Sequence, residues 1–372
     1  MSADTVVTDP ALAALQQQVR DAAGRRQPLC IRGHGSKDFL GGPLVGDVLD
    51  TRELCGISSY EPTELVVTAR AGTPLVELEA ALAERGQCLP FEPPRFGAGA
   101  LGAGTVGGMV AAGLAGPARG AVGGVRDYVL GATLLNGRGD VLSFGGQVMK
   151  NVAGYDVSRL LAGSLGVLGV ICEVSLKVLP QALATRTLRF DLDQISALRR
   201  VNDWAGQPLP LNASAWWDDT LVVRLRGAVA AVDAATARLG GETIPDALAH
   251  GFWEGLRDQR DDFFQHAHEA VAQGASLWRL SVAATAPRIA LKGEQLVEWG
   301  GSQRWLITDA PAATLREAAA EARGHATLWR GGDRSEAPFT ALSKPVLRIH
   351  HQLKQSFDPA GVFNRQRLHP DF

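Results

Sequence analysis

Apolar residues recur at helical spacing after Asp9-Pro10, where Leu12, Leu15 and Val19 share one face. That pattern predicts a helix capped by Asp9, begun by Pro10 and ended at Gly24. Pro28-Leu29-Cys30-Ile31 is a short apolar strand, and it feeds the loop Arg32-Gly33-His34-Gly35-Ser36-Lys37. Residues 63–70 alternate as a strand. Thr73-Pro74 then starts a helix with Leu75, Leu78 and Leu82 on its buried side and Gly86 past its end. Leu89-Pro90-Phe91-Glu92-Pro93-Pro94 is an extended connection, because each proline disfavours helix at the residue before it. Val174, Leu176 and Val178, alternating with Glu173, Ser175 and Lys177, predict a half-exposed strand ending at Pro180. Further on, strands at 187–192, 221–226, 277–283 and 304–308 interleave with alanine-rich helices at 229–239 and 311–322. An amphipathic helix is predicted at 347–357.

Between the two halves lies a stretch that fits neither period. Eleven glycines fall between Gly97 and Gly124. Such density weakens ordinary helix and strand through backbone entropy, and it suits a place where main-chain amides approach a polyanion closely. Gly104-Thr105-Val106-Gly107-Gly108-Met109 opens a short apolar helix that Gly116-Pro117 stops, aiming its first amides outward as phosphate ligands. Gly123 to Gly131 leads into a hairpin with Asn136-Gly137 as a type I′ turn. Gly102 to Gly107 also satisfies G-x-G-x-x-G, with Asp127 twenty residues beyond. No strand precedes it and no long helix follows, so the context of a dinucleotide-binding Rossmann unit is missing. The loop Arg32–Lys37, a strand followed by glycines, a hydroxyl and a lysine, is a second candidate anion nest.

Composition narrows the choices. The chain of 372 residues is too long for one ordinary core, so two domains are expected. A formal charge of −2 gives no electrostatic case for nucleic acid or an anionic membrane. No apolar run reaches a spanning length of roughly 20 residues, so direct membrane insertion is not expected. The first nine residues lack the basic-then-apolar order of a secretory signal, which points to the cytoplasm. Cys30, Cys55, Cys88 and Cys172 are too widely spaced to hold an iron–sulfur cluster and read as reduced, mostly buried thiols. His266-x-His268 lies in a predicted helix at 261–271, where positions i and i+2 diverge, so no metal site is expected.

Gly123-Gly124, then Arg126-Asp127-Tyr128-Val129-Leu130-Gly131, Lys150 to Asp156 and Gly163-Ser164-Leu165-Gly166-Val167-Leu168-Gly169, occur in this order across about 70 residues. In this the chain resembles the vanillyl-alcohol-oxidase (PCMH-type) flavoproteins, and within them the branch of glycolate oxidase subunits and D-lactate dehydrogenases. The resemblance implies an α+β fold: a PCMH-type two-lobed FAD-binding domain at 1–180, an α+β cap at 181–340, and a segment at 341–372 returning to the FAD domain. A composition shift supports the first boundary, since all eight tryptophans lie from Trp204 on and 29 of the 43 glycines precede Pro180. By resemblance FAD is the cofactor, held by Arg32, Gly33, His34, Gly35, Ser36, Lys37, Gly104, Thr105, Gly107, Gly108, Gly113, Asp127, Gly166, Val170, Ile171 and Asn364. Members that attach FAD covalently do so through a histidine at the position of Ser36, so non-covalent binding is implied here. Gly108 is expected where the chain turns against the cofactor, so that a Cβ there either clashes with the pyrophosphate or strains a positive φ. Phe357-Asp358-Pro359 to Asn364 is similar to the family's closing motif, although Arg365-Gln366 replaces its usual Pro-Gly.

The chain also departs from the branch. Self-sufficient dehydrogenases carry Gly-Asp-Gly-Asn-x-His in the cap, at a metal-dependent substrate site. Here only Gly331-Gly332-Asp333-Arg334 is present, and Leu165 and Val167 replace a usual Glu and Thr. Catalytic residues are therefore left unassigned, with Arg279, Arg330 and Arg334 as the cations able to hold a carboxylate. The resemblance implies a catalytic flavin subunit and an iron–sulfur subunit of glycolate oxidase as partners, and a small 2-hydroxy acid as substrate. A free-standing D-lactate-type dehydrogenase and a non-catalytic structural subunit stay open.

Overall fold

The computed structural model describes residues 9–97, 104–146, 156–333 and 337–372. Its first helix, Pro10–Arg25, is capped as expected. Asp9 Oδ1 accepts from the amides of Ala11 (2.9 Å) and Leu12 (3.4 Å), while Leu15, Val19 and Ala22 are buried. Gly24 does not end it; the chain turns at Arg26 in the left-handed region, φ 53°. Strand Leu29–Arg32 pairs in parallel with Asp47–Asp50. Residues 63–65 belong to a 3₁₀ turn and its cap, so the next strand is only Val66–Arg70.

A five-stranded antiparallel sheet follows, in the order Ile57–Glu61, Val66–Arg70, Val170–Lys177, Val129–Leu135, Val141–Gly145. Helices Leu75–Ala83 and Val106–Ala112 cover its inner face. Leu75, Leu78, Leu82, Val106 and Val110 are fully buried there against Val67, Val129 and Val174. The hairpin does not turn at Asn136-Gly137. It uses the longer loop 136–140, in which Asn136 Oδ1 accepts from the amides of Arg138 and Asp140 and Gly139 supplies the positive φ of 80°. Asn136 thus acts through its side chain, which makes the two-residue turn unnecessary.

The second sheet has eight antiparallel strands in the order Glu242–Ile244, Ala184–Asp191, Thr220–Gly227, Leu211–Trp217, Glu294–Glu298, Gln303–Thr308, Ser276–Ser281, His325–Gly331. Helices Gln194–Ala205, Val229–Leu239 and Ala312–Glu321 cover its outer face. The inner face, with Leu277, Trp305 and Trp329, packs on helices Asp246–Asp258 and Asp262–Ala272 and on Leu40, Phe96, Leu114 and Leu165 from the first half of the chain. A polar tie joins the two layers. Arg224 reaches both carboxylate oxygens of Glu92 at 2.7 and 2.8 Å, its Nε donates to Asn212 (2.7 Å), and its guanidinium lies 4.9 Å over Trp253.

Helix Lys344–Phe357 carries the chain back to the first layer. Lys354, which an amphipathic reading puts on the wet face, is instead buried. Its Nζ donates to Val167 O, Asp358 Oδ2 and Phe363 O at 2.9, 2.7 and 2.8 Å. Asp358 accepts in turn from the amides of Val362 and Phe363. Phe363 then sits as a parallel bridge beside Leu29, so the end of the chain becomes a neighbour of its first strand.

Candidate functional site

Those connections bring four remote segments round one open cleft. Arg32, Gly33, His34, Gly35, Ser36 and Lys37 form one wall; Thr105, Gly107 and Gly108 another; Gly166, Ile171 and Asn364 the third. The loop is a nest of donors, because Gly35 takes φ 72° and none of the amides of residues 33–37 is hydrogen-bonded among the described residues. Arg32 holds the loop's shape through an ion pair with Asp38 at 2.5 Å.

Two side chains of that loop also lack counterparts. His34 Nδ1 is buried with no hydrogen bond. Lys37 Nζ has only Ser36 Oγ at 3.4 Å and the ring of Phe96 at 5.6 Å, and no carboxylate within ion-pair distance among the described residues. Burial therefore pulls its pKa down to about 8, partly countered by the field of Asp258. A diphosphate against these amides and this ammonium would supply the missing acceptors, so the residues present fit the phosphate end of a dinucleotide cofactor.

The glycine-rich helix contributes differently from what its sequence suggests. The amides of Val106, Gly107 and Gly108 are bonded to Thr73 O (2.9 Å), Ala71 O (2.8 Å) and Thr105 Oγ1 (3.2 Å). They have no free N–H to offer a phosphate. Its glycines instead permit close approach: a Cβ on Gly107 would stand 2.6 Å from that of Ala71. Gly108 is not at positive φ either; it is a helical residue whose Cβ would meet only Thr105 Oγ1, at 3.2 Å. At the third wall Asn364 Oδ1 accepts from Ile31 N (2.7 Å) and its Nδ2 donates to Leu165 O (2.6 Å). Gly166, at φ 75°, passes so near that a Cβ would be 2.6 Å from Asn364 Nδ2.

Four expected residues do not line the cleft. Asp127 spends its carboxylate on the amide of Gly124 (2.8 Å), capping the short helix Val125–Tyr128. Gly113 is the left-handed cap of helix Val106–Ala112, φ 63°, and Val170 points into the core under the first helix. Gly104, φ 91°, lies behind Ser36 and accepts from Leu75 N. Arg367 was not anticipated. It is buried in the cleft wall, where it donates to Asp38 O and Gly42 O, and its only trace in the sequence is the altered closing motif.

Beyond Lys37 the cleft meets an edge-to-face aromatic group of Phe39, Phe96, Trp305 and Trp329, on which Arg330 (3.7 Å over Phe39) and Arg279 (4.9 Å over Trp329) lie. Arg334 and the segment Lys150–Tyr155 fall outside the described residues. Nearby, burial raises the pKa of Glu298 to about 7, although its Oε2 accepts from Trp305 Nε1 (2.6 Å) and Gln303 Nε2 (2.8 Å). The folded state thus keeps this proton above the ordinary value of 4.5, so its contribution to stability is lost as pH climbs from about 4.5 to about 7. We expect Glu298→Gln to remove about 1–3 kcal/mol of that loss. The check is the urea midpoint at pH 5 and pH 8: wild type should fall further than the variant between the two.

A family model described as an FAD binding domain matches residues 4–145. The chain is 48% identical over 358 residues to glycolate oxidase subunit GlcE of Escherichia coli (strain K12), covering 96% of this chain and 97% of that one. It is 32% identical over 178 residues to glycolate oxidase subunit GlcD of Bacillus subtilis (strain 168), covering 46% of this chain and 36% of that relative. Among solved structures, an alkyldihydroxyacetonephosphate synthase superposes with a TM-score of 0.62 at 14% identity, covering 94% of this chain and 73% of the other. The expected PCMH-type α+β fold and the expected FAD cofactor are thereby borne out. Among the described residues no helix is long and apolar enough to cross a membrane.

Proposed function

Because the chain belongs to the family of glycolate oxidase subunit GlcE, we propose that it is the FAD-binding subunit of a complex that oxidises a small 2-hydroxy acid, glycolate to glyoxylate. In this reading residues 1–180 and 341–372 hold the cofactor and 181–340 form the cap. Electrons pass on to an iron–sulfur partner, beside a catalytic flavin subunit. Bound FAD supplies the hydride-accepting and electron-carrying chemistry. The chain's own part is to hold it: the amides of residues 33–37 and Lys37 take the diphosphate, and Thr105, Gly166 and Asn364 set the width of the cleft.

The observation that carries this reading is the row of unbonded amides beside a buried lysine with no counter-ion, opening on a cleft whose third wall includes Asn364 from the far end of the chain. Binding is non-covalent, since Ser36 stands where covalent members have histidine. The four cysteines are free and, among the described residues, no cluster of metal-binding side chains occurs, which supports placing the iron–sulfur centre on a partner.

The test is to purify the chain alone with FAD. It should show a visible flavin spectrum lost on acid precipitation. FAD at about 100 times its dissociation constant should stabilise the fold by roughly 2.7 kcal/mol, read as a rise in melting temperature. Glycolate-dependent dye reduction should be small until the catalytic flavin and iron–sulfur subunits are added. A chain that takes up no flavin would point to a structural subunit, and robust turnover without partners would point to a free-standing dehydrogenase.

A further inference from the structure

Lys37 differs from the other cation of its loop. Arg32 is ion-paired with Asp38, whereas Lys37 Nζ has no carboxylate within ion-pair distance among the described residues. Its neighbours are Ser36 Oγ, the ring of Phe96 and Gly104, where an added Cβ would come within 3.2 Å of Nζ. The charged groups around it are committed elsewhere. Asp38 holds Arg32, Arg367 donates to Asp38 O and Gly42 O, and Asp258 accepts from Arg257, Arg260 and the amide of Arg95. Lys354 is the opposite case, a buried amine whose Nζ makes three hydrogen bonds, one of them to Asp358.

A desolvated amine with so little opposing charge favours its neutral form, and the neutral form carries the lone pair of a nucleophile. With its pKa at about 8, about half of Lys37 is free amine at pH 8, where a lysine at the ordinary 10.5 keeps under about 1%. The position of this amine is a separate observation. Beside it the amides of residues 33–37 are all unbonded among the described residues, and Gly35, at φ 72°, curves them into a nest that suits a phosphate. The enclosed room of the cleft, about 110 Å³, takes a phosphate on a chain of two or three carbons. A ligand with a phosphate for the amides and a carbonyl carbon a few bonds away for Nζ would use both features at once.

We propose that Lys37, in the chain without flavin, is a covalent modification site for small aldehydes that carry a phosphate. Nζ attacks the carbonyl carbon, the two protons of the neutral amine leave with the carbonyl oxygen as water, and a C=N bond results with no net oxidation or reduction. The loop amides hold the phosphate meanwhile. Flavin and aldehyde compete for the same donors, so cofactor loading protects the lysine. Only that competition rests on the cofactor reading.

The test uses the full chain freed of flavin, with glycolaldehyde phosphate and glycolaldehyde as probes. Borohydride fixes the imine as a secondary amine, and peptide mass mapping locates it. Lys37 should be modified at least tenfold faster by the phosphate ester than by glycolaldehyde, and faster than any other lysine. The α-amine, whose ordinary pKa is also about 8, is the internal reference and should show no such preference. The rate at Lys37 should rise with pH and level off above about 8, and FAD should slow it at least tenfold. Lys37→Arg should abolish the adduct. In Gly35→Ala the new Cβ would stand 2.6 Å from Arg32 Nη2, so the nest should distort and the preference fall below threefold with Lys37 still modified. Equal rates for the two aldehydes at Lys37 of wild type would overturn the proposal, as would modification no faster than at the other lysines; neither result depends on a variant folding. Undiminished reaction in protein with a complete flavin spectrum would move the cofactor out of this cleft and leave the modification site standing.

Discussion

Gly33→Val should empty the protein of flavin. A Cβ at residue 33 would lie 2.6 Å from Thr105 Oγ1 and 2.9 Å from its Cγ2. Thr105 cannot retreat, because it is 2% exposed and its hydroxyl caps helix Val106–Ala112 through Gly108 N. A valine must therefore push the donor loop away from the helix and change the width of the cleft between them. Overpacking of this kind costs about 1–3 kcal/mol, and losing the cap about 1 kcal/mol more. Charged against the bound state, about 3 kcal/mol is a factor of roughly 100 in affinity for FAD. The ratio of flavin absorbance to protein absorbance after gel filtration reads the result, with far-ultraviolet circular dichroism as the control for folding. Wild-type flavin content would show that the cofactor does not pass between Gly33 and Thr105.

Lys354→Ala is expected to be the most damaging single change to the fold. It removes three hydrogen bonds from Nζ and leaves the Asp358 carboxylate, fully buried, without its cation. Breaking a buried pair from one side costs about 3–5 kcal/mol, because the surviving charge is uncompensated. Asp358→Asn in the same background should recover part of the loss, and that non-additivity separates the pair from the helix around it. Urea unfolding of the two single variants and the double variant decides it. A loss below 1 kcal/mol in Lys354→Ala would mean that Val167 and Phe363 are held by something else.

Much of the first half of the molecule was legible in its sequence because local rules govern it. Asp9 and Pro10 cap a helix, Leu75, Leu78 and Leu82 mark a buried stripe, and the loop after Ile31 has the glycines that an anion nest needs. Where the sequence misled, a residue did a nearby job instead of the expected one. Asp127 has the spacing of a ribose-binding acid but closes its own helix, and the first amides of Val106–Ala112 go to Ala71 and Thr73, carbonyls some thirty positions earlier that no local pattern reveals. Strands 187–192, 221–226, 277–283 and 304–308 were read to within a few residues, yet Leu211–Trp217, Glu294–Glu298 and His325–Gly331 were not, nor was the order of the sheet. Pairing across such separations leaves no trace in a single chain's periodicity. Buried charge is hidden for a different reason. Lys354, Glu298 and Arg279 each stand in a pattern that normally points such side chains at water, and only the packing of remote segments over them shows otherwise.

Ile31 and Asn364 are 333 positions apart, and the hydrogen bond between them joins two walls of the cleft proposed to hold the cofactor. During synthesis the N-terminal lobe emerges first, with its donor loop made and its five-stranded sheet complete once Lys177 is out. The cleft still lacks a side until Phe363 and Asn364 have cleared the ribosome and docked against Leu29 and Ile31. A ribosome-stalled nascent polypeptide ending before residue 363 is accordingly expected to be a folded lobe that does not retain flavin, because the wall closed by Asn364 is missing.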